Sequence, residues 1–152
     1  MERLLSLYLL LVVGMSQVSR AALPFGGQPD VGITVDVQEV LLPNAAPIGQ
    51  YVGEAHVNAL VEADCPHSIG VAFDGFVNDD SQAVYTEKMS MQVNSGAILA
   101  PGKMEELFGS NQPTPSGGAT LPLTLTFRVD DLTRFPAGRY RCTISLTIMV
   151  LP

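Results

Sequence analysis

The side chains in this sequence able to do chemistry are few: two histidines, two cysteines and three adjacent pairs of acids. His56 and His67 could serve as bases or metal ligands near neutral pH. Asp79-Asp80, Glu105-Glu106 and Asp130-Asp131 are paired carboxylates, the raw material of acid–base catalysis. Neighbours in an extended strand face opposite ways, so no such pair makes a two-carboxylate site by itself. Asn78-Asp79-Asp80-Ser81 offers oxygen ligands to calcium but lacks regular ligand spacing, and a solvated turn is the stronger reading. Met89 and Met91 share a strand face. Soft copper binding is their functional reading and packing the ordinary one. No Gly-x-Ser-x-Gly elbow and no Gly-rich phosphate loop is present. Both histidines are expected to be ordinary surface residues. No catalytic residue, metal ligand or cofactor is assigned, and the chain is read as not an enzyme.

Composition excludes other classes. The chain has 152 residues, 47% hydrophobic and 15% charged, with a net charge of −7. Such an apolar fraction is incompatible with a wholly disordered chain. The negative charge argues against nucleic-acid binding, which needs clustered Lys and Arg.

The cysteines take their meaning from the compartment. Arg3 precedes an apolar run from Leu4 to Met15, and small residues fill Ser16 to Ala22. That order is the one found in a secretory signal peptide, with cleavage expected after Ala21. The run is shorter than the ~20 residues of a membrane span, and no later segment reads as one. The expectation is a signal peptide at 1–21 and one soluble domain at 22–152. The destination is the periplasm, the cell surface or the exterior. In such a compartment Cys65 and Cys142 are expected to form a disulfide. No C-x-x-C spacing supports a reactive pair.

The elements that must position these residues are strands. Val31, Ile33, Val35 and Val37 alternate with polar residues. Tyr51 to Ala63 alternates over its whole length, and Cys65 keeps its apolar parity. Ile69, Val71 and Phe73 continue after Pro66, ended by Asp74-Gly75, and a weaker strand lies within 83–93. Leu121 to Val129 and Tyr140 to Val150 alternate most clearly, with Cys142 inward. Pro101 to Gly109 suggests one or two helical turns, and 94–119 reads as a long mobile loop. The fold class is all-β, best as a two-sheet sandwich, with a small closed barrel as runner-up.

Asp131 to Cys142 resembles the E–F corner of an immunoglobulin-like domain, with Tyr140 two residues before Cys142. The sequence reaches Pro152 without the turn and further strand that would follow there. Ala137 to Ile148 resembles the C-terminal strand of chaperone–usher pilin subunits and of spore-coat-U-like secreted proteins. Ala63 to Phe73 resembles their middle strands. The resemblance implies a sandwich of about six or seven strands, either complete or short of its last strand. It also implies a secreted structural subunit of a pilus-like or surface-coat assembly. Its partner would be another copy, or another secreted strand such as a chaperone's. Strand addition would use Val31, Ile33, Val35 and Val37 as the added segment, in the same chain or a neighbour. Ile144, Leu146 and Ile148 would line the accepting edge. A bridge between the second and last strands departs from such pilins, which place theirs early in the chain.

The rival reading is a self-contained carbohydrate- or protein-binding module. It requires an exposed aromatic platform, for which Tyr51, Phe76 and Tyr85 are candidates.

Overall fold

The computed structural model describes residues 5–12, 31–41, 49–136 and 138–152. The expected cleavage point, most of the linker before Tyr51 and Ala137 lie outside the described residues. The strands are β1 (Leu5–Val12), β2 (Val31–Leu41), β3 (Tyr51–Ala63), β4 (His67–Asn78), β5 (Val84–Tyr85), β6 (Met89–Val93), β7 (Ile98–Leu99), β8 (Met104–Ser110), β9 (Ala119–Val129) and β10 (Gly138–Val150). One 3-10 turn, Leu132–Arg134, joins β9 to β10.

These strands form two five-stranded sheets. One runs β1-β10-β4-β5, with β8 also paired to β4; the other runs β2-β3-β9-β6-β7. The fold is an all-β sandwich.

Period two explains why the long strands pack. In β3, Tyr51, Ala55, Val57, Ala59, Val61 and Ala63 are buried, and the residues between them are more exposed. Leu123, Leu125, Phe127 and Val129 of β9 are buried beside them. The facing sheet contributes Ile69, Val71, Phe73 and Phe76 from β4 and Tyr140 to Val150 at alternate positions from β10. The halves meet at aromatic contacts: Phe127 lies 6.4 Å from Phe73 and 6.0 Å from Phe76, centroid to centroid.

The third strand does not end at Asp74-Gly75. It continues to Asn78 through a bulge, in which Asp74 and Gly75 together face Thr143 between the pairs Phe73–Ile144 and Phe76–Cys142. Gly75 has a φ of +91°, and a Cβ there would sit 2.5 Å from the Tyr85 carbonyl oxygen. Only glycine satisfies both conditions.

The middle of the chain departs furthest from expectation. Residues 104–110 form a strand, not helical turns: β8 pairs antiparallel with β4 from Ala72–Met104 to His67–Ser110. The segment 94–119 is likewise not a structureless loop, since it holds β7, β8 and the start of β9. Its remaining stretch is tied down. Thr114 N–H donates to the Ala63 carbonyl at 2.8 Å, and Thr114 Oγ1 accepts from Ala63 N–H at 3.0 Å. Backbone pairing to β4 outweighed a local sequence with neither strand nor helix alternation. The expected strand within 83–93 is two strands, β5 and β6, in different sheets.

Candidate functional site

The edge of β10 is where the sheet order and the sequence reading meet. β10 pairs antiparallel with β4 along its length. On its other side lies β1, parallel, from Leu5–Gly138 to Val12–Ser145. Every other strand pair among the described residues is antiparallel. Counting from β2 onward, β10 is the outermost strand of its sheet. Ile144, Leu146 and Ile148 are buried, at 1%, 0% and 5% exposure, so their side chains belong to the core. The β1 register ends at Ser145, so it flanks Ile144 but not Leu146 or Ile148.

The segment Val31 to Val37 lies elsewhere. It is part of β2 and pairs antiparallel with β3, from Val31–Ala63 to Val37–Val57. It pairs within the opposite sheet of its own chain and not at the edge beside β10.

The cysteines are both inward and both free. The expected disulfide is corrected by register. Cys142 is opposite Phe76, whereas Cys65 precedes His67, which is opposite Val150. At about 3.3 Å per residue the two are on the order of 30 Å apart, against a limit of about 7 Å between bridged Cα atoms. Burial pushes the Cys142 thiol up to about 12, with Asp74 adding to the rise and a Gly75 backbone bond opposing it. Burial also raises Cys65, followed by the charge of Asp64 and its hydrogen bond. Neither thiol is activated as a nucleophile.

The histidines part company. His56 is a partly exposed residue on the outer face of β3. Its Nε2 lies 3.0 Å from Glu54 Oε1 and its Nδ1 3.2 Å from Thr124 Oγ1. His67 is not on the surface: it is 1% exposed, its ring 6.3 Å from that of Phe108. Pairing with β8 buries it. Its Nδ1 lies 3.0 Å from the Cys65 carbonyl, and Nε2 has no hydrogen-bond partner. Among the described residues no group of three or more His, Cys, Asp or Glu could hold a metal ion.

The acidic turn is held by the Asn78 side chain. Asn78 Oδ1 accepts from the N–H groups of Asp80 and Ser81 and from the Ser81 hydroxyl, at 3.0, 2.8 and 3.1 Å. Arg141 of β10 reaches across it, 3.4 Å from Asp79 Oδ1 and 2.6 Å from Gln82 Oε1. Met89 and Met91 are buried at 6% and 0%, as core residues are.

Two of the three aromatic-platform candidates are internal: Tyr51 is 7% and Phe76 1% exposed. Tyr85 is half-buried and packs against Phe135 at 4.8 Å and Tyr140 at 5.8 Å. It lines an open cleft of about 310 Å³ with Val84, Thr86, Glu87, Arg134 and Phe135. Arg134 Nη1 donates to Glu87 Oε2 at 2.5 Å within this lining. Glu87 and Arg134 were not candidates in the sequence. They stand 47 residues apart, and no local spacing marks them.

Comparison with protein-family models, with curated proteins and with solved structures found no match to this chain. No helix among the described residues is long and apolar enough to cross a membrane.

Proposed function

We propose that this chain is an exported, non-catalytic structural subunit that assembles by accepting a β-strand beside β10. The observation that carries the reading is the occupant of that place. Residues 5–12 fill it, and they lie within the expected signal peptide. Cleavage after Ala21 would remove β1 and bare the backbone of Gly138 to Ser145. An exposed edge of a sheet with an apolar inner face is a hazard that native proteins cover. A strand donated by another secreted chain would restore its hydrogen bonds, and alternate side chains would meet the core.

The strand order supports this. Immunoglobulin-like sandwiches place strands A-B-E-D in one sheet and C-F-G in the other. The order β2-β3-β9-β6 is compatible with the first, and β4-β10 with C-F. The G position is then the one beside β10. The Tyr140 hydroxyl bond to the Pro136 carbonyl has the form of the tyrosine corner of that fold. The non-catalytic part rests on the sequence reading, in which neither histidine belongs to a catalytic motif; His56, between Glu54 and the Thr124 hydroxyl, lines no part of the cleft at Tyr85. The partner is another copy of the subunit or a secreted strand-donating protein. Val31 to Val37 is paired with β3 within its own chain, so the proposed donor is a segment of the partner.

The test compares the full chain with one beginning at Ala22. A synthetic peptide of residues 4–13 with a lysine tail is the strand probe. Amides 138–145 of the shortened chain should exchange quickly with deuterium, and the peptide should slow them. In the full chain they should be protected without it. A shortened chain that stays monomeric at high concentration, with amides 138–145 already protected, would sink the proposal.

A further inference from the structure

We propose that the cleft between β5 and the 3-10 turn binds a neutral sugar ring, a pyranose. One wall is the ring of Tyr85, the one platform candidate not buried in the core. Phe135, 1% exposed and also lining the cleft, packs against it at 4.8 Å, and Tyr140, 0% exposed, meets it edge-on at 5.8 Å. These contacts fix the ring before any ligand arrives, which limits the ordering cost of binding. An immobile aromatic wall suits the C–H face of a pyranose.

Thr86, Glu87 and Arg134 supply the polar part of the lining. The Arg134 side chain is half exposed and is held by two carboxylates: Glu87 through Nη1 at 2.5 Å and Asp131 through Nε at 3.4 Å. A guanidinium carries five N–H donors in a fixed fork. Among the described residues no hydrogen bond takes up Nη2, and the Glu87 bond uses Oε2, leaving Oε1 as an acceptor. A rigid donor pair beside a carboxylate acceptor matches two neighbouring hydroxyls, each both donor and acceptor. Thr86 adds a hydroxyl at the rim.

Charge and size narrow the ligand. Glu87 and Asp131 against Arg134 leave one negative charge in excess, so a sugar acid or phosphate is disfavoured. The volume of about 310 Å³ is at the lower end of the roughly 300–1,000 Å³ of small-molecule sites. It admits one ring rather than an extended chain. None of the β10 edge positions lines this cleft, although the buried ring of Tyr140 braces Tyr85, so ligand binding and strand addition are read by separate measurements.

The experiment is saturation-transfer NMR on the purified protein with the methyl glycosides of glucose, galactose, mannose and N-acetylglucosamine, and with glucuronate as the charged control. At least one glycoside should bind with a millimolar Kd, and glucuronate more weakly. Arg134→Gln and Glu87→Gln alter exposed side chains and should each weaken binding about tenfold. Tyr85→Leu should abolish it; where that variant does not fold, the two surface variants decide. No transfer to any of the four glycosides at about 50 mM would overturn the proposal. So would binding unchanged in both surface variants, or glucuronate binding more tightly than all four.

Discussion

The Tyr140 hydroxyl donates a 2.6 Å hydrogen bond to the carbonyl of Pro136, four residues upstream. Tyr140 is fully buried, and the bond ties the start of β10 to the turn that leaves β9. The same ring faces Tyr85 and Phe135, so the corner also braces the aromatic wall of the cleft.

Replacing Tyr140 by Phe keeps the ring and removes the bond. Pro136 is exposed, so water can take up its carbonyl, and the expected cost is about 0.5–1.5 kcal/mol. Urea unfolding should show a lower midpoint with an unchanged slope. An unchanged midpoint would mean that the hydroxyl contributes nothing to the fold.

Gly75 should be the least replaceable glycine. Gly75→Ala combines left-handed backbone strain with a Cβ 2.5 Å from the Tyr85 carbonyl oxygen, so backbone must shift. A loss of about 2–4 kcal/mol is expected. Gly102→Ala is the control: its φ is +75° and nothing lies within 4 Å of the added Cβ. Strain alone should cost about 1 kcal/mol there. Equal losses in thermal unfolding would show that the contact at Gly75 is relieved without cost.

Both thiols should be unreactive in the native protein and titrate as two free groups once it is unfolded. A Cys65–Cys142 linked peptide from unreduced protein would contradict the register. Their ionisation also sets an alkaline limit. Cys142 is pushed up to about 12 in the folded state from 9.0. Below pH 9 the thiol is neutral in both states, and the stability it contributes is fully present. As pH rises toward 12, the unfolded chain gives up the proton and the folded chain keeps it, so stability falls. Cys65, Tyr51 and Tyr140 are raised as well, mainly by burial, and act in the same direction. Cys142→Ala should therefore flatten the fall of the urea midpoint between pH 9 and 11. A decline as steep as in the parent would assign the limit to the other groups.

The long strands were legible because burial on one face writes period two into the sequence. β3 has the bounds its alternation suggests, Tyr51–Ala63, and Leu121 to Val129 and Tyr140 to Val150 lie within β9 and β10. Parity also put both cysteines inside. β8 was not legible. Most of its residues are exposed on both faces, so Met104-Glu105-Glu106-Leu107-Phe108 carries no alternation. It is a strand because β4 offers it backbone partners. His67 read as a surface residue for the same reason, since the strand that covers it could not be seen.

The sequence alone determined which faces are apolar, hence the all-β class and the inward set of β3, β9 and β10. Only the tertiary structure decided which strand lies beside which. That choice placed Val31–Val37 against β3, residues 5–12 against β10, and Cys65 at the far end of the sheet from Cys142. It also brought Glu87 to Arg134 in the lining of the cleft. The physical reason is that side-chain burial is read residue by residue, at a period fixed by local backbone geometry. Lateral strand order is set by backbone N–H and C=O groups that nearly every residue possesses. Those groups leave no mark in the sequence to say whom they will meet.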